Sequence, residues 1–334
     1  MAATKSDRAR ETAAVPPPAA TADESLILLE RRGPVVILRL NHPPLNILTT
    51  PLLDEMREKV VELSHDPRVR AVVVTGSGEK AFSGGADVRE MLSMSRAASA
   101  RHSAKGQTLY NLLERAPFPV IAAVRGYCVG GGCEMVQACD FVIASDDAFF
   151  GQPEINIGVI PGWGGSQRLP RTIGPVRARR WIMTGDRVGA AQALQDGLVD
   201  RVVPPADLVE AAVDLGRTLA SKPAEALAAA KYLINHATDP GRLKGLEYER
   251  ELWGRLFETP GQQEGMRAFL EKRPAIFPAE RRSPGKAPSF PWERSNHAEP
   301  GARPRKTARK GRPGQPSRAR RSRSRGRAQR AGKR

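Results

Sequence analysis

Residues 119–140 read PVIAAVRGYCVGGGCEMVQACD, with three consecutive glycines standing between an apolar run and a segment of helical composition. Val120–Val124 has no polar position to give to solvent, so it reads as a strand buried on both faces. Glycine weakens both regular elements, and a glycine run therefore ends the strand and sets a tight turn before the helix. A buried strand, a glycine turn and a helix in that order constrain the chain to an α/β layer. At the helix start the backbone N–H groups lack partners and point outward, a geometry that stabilises negative charge on a bound atom. Without Cβ atoms the loop lets that atom approach. Taken alone, the triplet serves equally well as a turn packed on a neighbouring strand. It is not a phosphate loop, because the GxxxxGK[ST] spacing and its lysine are missing.

The same alternation runs along the chain. SLILLERRGPVVILRLNHP predicts two short strands around a Gly-Pro turn, followed by a helix near Pro51 with Leu52, Leu53, Met56, Val60 and Leu63 at helical spacing. VRAVVVTGSG predicts a buried strand, and a mostly helical stretch runs to about Arg115. DFVIAS and AFFG read as strands, and EINIGVIPGWGGSQRLP as a turn-rich segment leading into helices. Helices are predicted at 175–184, 190–196, 206–221, 223–236, 242–258 and 260–273, with LVDRVVP as a strand between them. Repeated strand–strand–helix units followed by a helical block predict an α/β body capped by helices.

The 334 residues carry a net charge of +17, but residues 281–334 hold 19 Lys+Arg against 2 Asp+Glu. The other 280 residues hold 34 of each sign, so the body has no charge reason to seek polyanions. The first 25 residues, with VPPPAATADES and no apolar h-region, read as a disordered leader rather than a secretory signal; the acids among them argue against a transit peptide. From about Ala279 the composition turns to Arg, Ser, Pro, Gly and Lys and predicts a disordered basic tail. Cys128, Cys133 and Cys139 have no CxxC or histidine spacing, so they read as small buried hydrophobes in a reducing, cytoplasmic compartment, with no metal site. The five scattered histidines show no catalytic or metal pattern, and no apolar run reaches a membrane span.

A second glycine loop, FSGGAD at 82–87, also follows a buried strand and precedes a helix. Two such loops can each offer one N–H to the same oxygen, which is how an oxyanion hole is built. A third piece, FGQPEINIGVIPG, sets Glu154 among apolar and turn residues. On its own Glu154 is an ordinary turn acid; beside Glu134 it forms a carboxylate pair able to divide acid and base roles.

These segments are familiar. KAFSGGADVREM, IAAVRGYCVGGGCEMVQACD and AFFGQPEINIGVIPGWGGSQRLPR, in that order, resemble the signature segments of the enoyl-CoA hydratase/isomerase (crotonase) superfamily. The resemblance extends over roughly residues 26–278 and includes NHPPLNIL and EGMRAFLEKRPAIF. It implies a crotonase-like spiral of repeated ββα units over 26–200, a C-terminal helical trimerisation region over 201–278, and trimers that pair into hexamers. The leader 1–25 and the tail 279–334 fall outside it. It also implies an acyl-CoA thioester substrate, with no cofactor beyond that CoA, whose carbonyl oxygen accepts from the backbone N–H groups of Ala86 and Gly131. Glu134 and Glu154 match the two catalytic glutamates of its hydratases, which add water across the 2,3 double bond of a trans-2-enoyl-CoA. Asp87, Val88 and Arg89 match the segment along the CoA, and Lys272 is a weaker candidate for its phosphates, from a neighbouring subunit.

Trp163 stands where well-known hydratases often carry a small residue, and its reading is packing; Asn156 brings an amide close to Glu154, and either residue can reshape the acyl pocket. Within the same fold, an isomerase or a dehydratase is the nearest alternative. From another class, the body would serve as an oligomeric platform whose basic tails, residues 285–334, bind nucleic acid or another polyanion. The retained glutamate pair favours the enzyme, because a platform has no need of two acids beside an oxyanion loop.

Overall fold

The computed structural model describes residues 25–238 and 241–281; the leader through residue 24 and the basic segment from residue 282 lie outside it. Strands β1 (Ile27–Arg32) and β2 (Val35–Leu40) form an antiparallel hairpin. Helix α1 (Thr50–His65) starts where Thr49 accepts from the Leu52 N–H and buries the Leu52, Leu53, Met56, Val60 and Leu63 face that its spacing predicts.

Three turns of a spiral follow, and each places one strand in a large sheet and the next in a small one. The first comprises β3 (Ala71–Gly76), β4 (Ala81–Ser83), α2 (Val88–Leu92) and α3 (Arg96–Arg115). The second comprises β5 (Val120–Val124), β6 (Tyr127–Val129) and α4 (Gly131–Val136). The third comprises β7 (Phe141–Ser145), β8 (Phe149–Gly151) and a 3₁₀ turn (Pro153–Ile157). Beyond them lie α5 (Gly165–Thr184), β9 (Val188–Gly189), α6 (Ala190–Asp196), β10 (Arg201–Val203), α7 (Leu208–Ala220), α8 (Ala224–Asn235), α9 (Arg242–Leu256) and α10 (Pro260–Leu270).

The six-stranded sheet has the order β1-β2-β3-β5-β7-β10, parallel from β2 onward, and the four-stranded sheet has the order β4-β6-β8-β9. Val36, Leu38, Val72, Val74, Val120 and Ala122 belong to the main core beneath α1 and α3. Alternate residues, among them Ile37, Val73, Ile121 and Ile143, pack with Leu208, Ala212 and Val213 of α7. Burial on both faces is why these strands are continuously apolar, and each fully buried Val or Leu adds about 1.5–3 kcal/mol. The sheet layer continues past residue 200, since β10 pairs with β7 and α7 covers the face. No helix among the described residues is long and apolar enough to cross a membrane.

Two boundaries differ from the sequence reading. The span α5 is two helical segments that meet at non-helical Gly174 (φ 77°, ψ 156°): the second, from Pro175, is the helix predicted over 175–184, while the first, from Gly165, lies in the stretch read as turn. Its start depends on an acceptor from elsewhere in the chain, the Glu134 carboxylate, which local composition does not reveal. Arg281, which the sequence reading assigns to the tail starting at 279, packs on the body: its guanidinium donates to the carbonyls of Asp66 and Val69 (both 2.7 Å) and lies over the Phe118 ring. A charged side chain that satisfies otherwise open carbonyls past a helix C-terminus stays with the fold despite its polar composition.

Helix α8 is locked to the spiral by one buried cation. Lys231 Nζ donates to Asp140 Oδ2 (2.7 Å) and to the carbonyls of Leu113 (2.8 Å) and Phe118 (3.1 Å), while Asp140 Oδ2 also accepts from the Val120 N–H (2.8 Å). Replacing Lys231 with Met leaves these acceptors and a buried carboxylate unpaired, and is expected to destabilise the fold by about 3 kcal/mol or more. Urea denaturation measures this; a loss below about 1 kcal/mol would show that packing alone holds α8.

Candidate active site

The functional segments lie at equivalent places, where β4, β6 and β8, the parallel strands of the small sheet, end. The first loop is held from below by NHPPLNIL. Buried Asn46 donates from Nδ2 to the carbonyls of Ala81 (2.8 Å) and Ser77 (3.0 Å), and its backbone carbonyl accepts from Ser83 Oγ (2.8 Å). The Leu48 N–H donates to the Gly85 carbonyl (2.9 Å), and Leu48 bridges to Ala86. Gly85 takes φ 90°, and a Cβ there would meet the Val129 carbonyl oxygen at 2.9 Å and the Gly131 nitrogen at 3.4 Å. The Ala86 loop therefore lies directly against the Gly131 loop.

Gly131 opens α4, so its N–H has no acceptor within the helix. Its carbonyl accepts from the Tyr110 hydroxyl (2.6 Å), which ties the loop to α3. Gly130 (φ 53°, ψ −127°) occupies backbone space that glycine alone enters readily, and its N–H donates to Gly151 of the third turn (3.0 Å). Trp163 is buried edge-on to Tyr110 (5.8 Å between centroids, 83°), and a Cβ on Gly131 or Gly106 would collide with its ring. The predicted packing role of Trp163 is what the structure shows.

Glu134, on the first turn of α4, is 2% exposed. Its Oε1 accepts from the N–H groups of Trp163 (2.8 Å) and Gly165 (2.7 Å), so the same carboxylate caps α5. Arg168 donates to the Trp163 carbonyl (2.9 Å) and, from Nε and Nη2, to the two carboxylate oxygens of Glu114 (2.8 and 2.9 Å).

Glu154 sits in the 3₁₀ turn, with Gly130 so close that a Cβ there would meet Oε1 at 3.3 Å. The amide near it is not that of Asn156, which is exposed and donates to the Gly185 carbonyl (3.5 Å). It belongs to fully buried Gln152. Oriented so that both ends are satisfied, the Gln152 amide nitrogen donates to Glu154 Oε1 (3.0 Å) and Oε2 (3.2 Å), and its oxygen accepts from Gln137 Nε2 (2.8 Å). Neither Gln152 nor Gln137 carries a charge that marks it in the sequence; the one local signal is the place of Gln152, two positions before Glu154 at a strand end.

Of the predicted residues, Ala86, Gly131, Glu134 and Glu154 come together. Asp87 caps α2 by accepting from the Arg89 N–H (2.8 Å), while the side chains of Val88 and Arg89 are exposed beside it. Lys272, exposed past the end of α10, makes no hydrogen bond or ion pair with these loops. Among the described residues no group of three or more His, Cys, Asp and Glu is arranged to hold a metal ion. The three cysteines are free; Cys128 and Cys133 are the buried small side chains that the sequence predicts, with burial pushing the Cys133 thiol up to about 12, while Cys139 is half-buried at the edge of the core.

Spiral ββα turns whose strand ends gather two N–H loops and two carboxylates define a crotonase-type enzyme scaffold. Residues 30–280 match the Enoyl-CoA hydratase/isomerase family, and the chain belongs to that family. It is 44% identical over 252 residues to a probable enoyl-CoA hydratase of Mycobacterium tuberculosis (75% of this chain, 97% of the relative). It is 39% identical over 252 residues to a crotonyl-CoA hydratase of Syntrophomonas wolfei (75% and 97%). A crystal structure of an enoyl-CoA hydratase from Bacillus anthracis superposes with a TM-score of 0.73 at 36% identity, covering 77% of this chain and all of that one.

The carboxylates differ in their surroundings. Burial raises the proton affinity of Glu134, while the Gly165 and Trp163 N–H groups and Arg168 oppose the rise by favouring its ionised form. Burial also pushes Glu154 up to about 7; its own backbone N–H opposes this, and the negative charge of Glu134 adds to it. Glu154 thus holds its proton more tightly in the folded chain than in the unfolded one, whose ordinary value is 4.5. The stability gained from this protonation is complete below about pH 4.5 and is lost as pH rises through about 7. Glu154→Gln buries no charge, so at pH 8 it is expected to be more stable than the wild type by roughly 1–3 kcal/mol, with the gap closing toward pH 5. Denaturant titrations at the two pH values test this; a gap independent of pH would contradict it.

Proposed function

We propose that this chain is an enoyl-CoA hydratase, a hydro-lyase that adds water across the 2,3 double bond of a trans-2-enoyl-CoA to give 3-hydroxyacyl-CoA. The observation that carries this reading is the pair of unequal carboxylates beside two backbone N–H loops. The N–H groups of Ala86 and Gly131 receive the thioester oxygen. Ionised Glu134 orients a water and takes one of its protons as the water oxygen bonds to the β-carbon. The π electrons move toward the thioester as enolate, whose charge the two N–H groups stabilise. Protonated Glu154 then gives its proton to the α-carbon, and exchange with solvent resets both acids. The CoA enters as part of the substrate, so the chemistry draws only on side chains and backbone. Asp87, Val88 and Arg89 would lie along the CoA, with Lys272 of a neighbouring subunit near its phosphates.

A homotrimer, or a hexamer of paired trimers, suits the large apolar side chains exposed on and after the last helices, among them Trp253, Phe269 and Leu270. The three free thiols suit a reducing, cytoplasmic setting. The basic segment 285–334 would attract nucleic acid or another polyanion through counterion release, separately from the chemistry.

Glu134→Gln and Glu154→Gln are each expected to lower crotonyl-CoA hydration by about 10²–10⁴, the usual worth of a general acid or base, without loss of fold. The decrease in absorbance of the conjugated thioester measures the rate. Wild-type rates in both variants, or turnover of 3-enoyl-CoA in preference to 2-enoyl-CoA, would overturn the proposal.

A further inference from the structure

The hydrogen-bond chain behind Glu154 does not end at Gln152. A buried primary amide is nearly symmetric in shape but not in charge, so half a turn exchanges a donor for an acceptor. With its nitrogen toward Glu154, Gln152 donates to both carboxylate oxygens and favours the ionised acid. With its oxygen there, it would repel the carboxylate and accept a hydrogen bond from the protonated acid. The amide fits its site either way round, so the partner at its far end can favour one orientation.

At that end stands Gln137, on the C-terminal side of α4, its Nε2 2.8 Å from the Gln152 oxygen and 3.5 Å from Cys133 Sγ. The Gln137 oxygen is buried without a protein partner, so the nitrogen supplies the directional contacts of this side chain. Resting on the hydratase reading, we propose that Gln137 is a positioning residue: it pins the oxygen of Gln152 and keeps the Gln152 nitrogen aimed at Glu154, so that Glu154 releases its proton readily to the α-carbon.

The need for such a device follows from the site. An acid buried beside a second carboxylate holds its proton tightly, and a fixed donor stabilises the carboxylate that proton delivery leaves behind. Among the described residues, Glu134 on α4 is the charge that acts on Glu154, and Cys133 on the same helix faces it as an uncharged thiol. Arg168 of α5, the helix packed on this turn, is paired with Glu114 and acts on Glu134. Gln137 is therefore poised to act on Glu154 through Gln152 with little interference from other ions.

The test is the pH profile of kcat/KM for crotonyl-CoA, whose basic limb reports the loss of the Glu154 proton. Gln137→Met should move that limb upward by up to about one pH unit, since Gln152 is then free to turn and favour the protonated acid. Gln152→Met should move it at least as far, and the double variant no further than Gln152→Met alone. Gln137→Leu serves as a second variant should the first fold poorly. Titration of ¹³C-labelled Glu154 by NMR reads the same shift without turnover. A wild-type protein that does not hydrate crotonyl-CoA would sink the hydratase reading, while the NMR titration still reports on Gln137. A uniform loss of rate with an unmoved limb, or a downward shift, would overturn the positioning role.

Discussion

Everything in the site depends on the close approach of loops that end three parallel strands of one small sheet. β4, β6 and β8 are held in register by their ladder, and the loops beyond them touch through backbone atoms: Gly130 donates to Gly151, and Gly85 lies against Val129 and Gly131. Such contacts require that Cβ atoms be missing at the points of closest approach. Glycine's cost in chain entropy is accepted here because an oxyanion hole needs two N–H groups from separate turns aimed at one oxygen.

The second dependence is electrostatic. Glu134 is buried, yet two backbone N–H groups at the start of α5 favour its charge, and the helix start in turn uses that charge to satisfy its open donors. The base and the fold thus share one interaction. Glu154 has an amide in place of two backbone donors, and burial beside Glu134 leaves it holding a proton near neutrality. Two carboxylates of the same chemical type acquire opposite tasks because their partners differ.

Much of this was legible in the sequence. The helical spacing of α1, the uninterrupted apolar runs of β3, β5 and β7, and the glycine loops before Ala86, Gly131 and Glu134 are local patterns, and local patterns set element type. What escaped is what depends on a distant partner. Helix α5 starts at Gly165 because a carboxylate thirty-one positions earlier receives its N–H, in a stretch whose prolines and glycines read as turn. The amide beside Glu154 is that of Gln152 and not Asn156, since the 3₁₀ turn carries Asn156 outward while the end of β8 directs Gln152 inward. Arg281 resembles the polar segment that follows it, but the open carbonyls past α1 hold it in the fold.

By itself the sequence determined the order of strands, glycine loops and helices and the chemical types available, because periodicity and backbone propensity act over a few residues. Only the tertiary structure decided which N–H groups face each other, which amide supports Glu154 and how tightly each acid holds its proton. Those properties follow from burial and from charges brought near by the spiral, and proximity across its turns is not encoded in any one stretch of the chain.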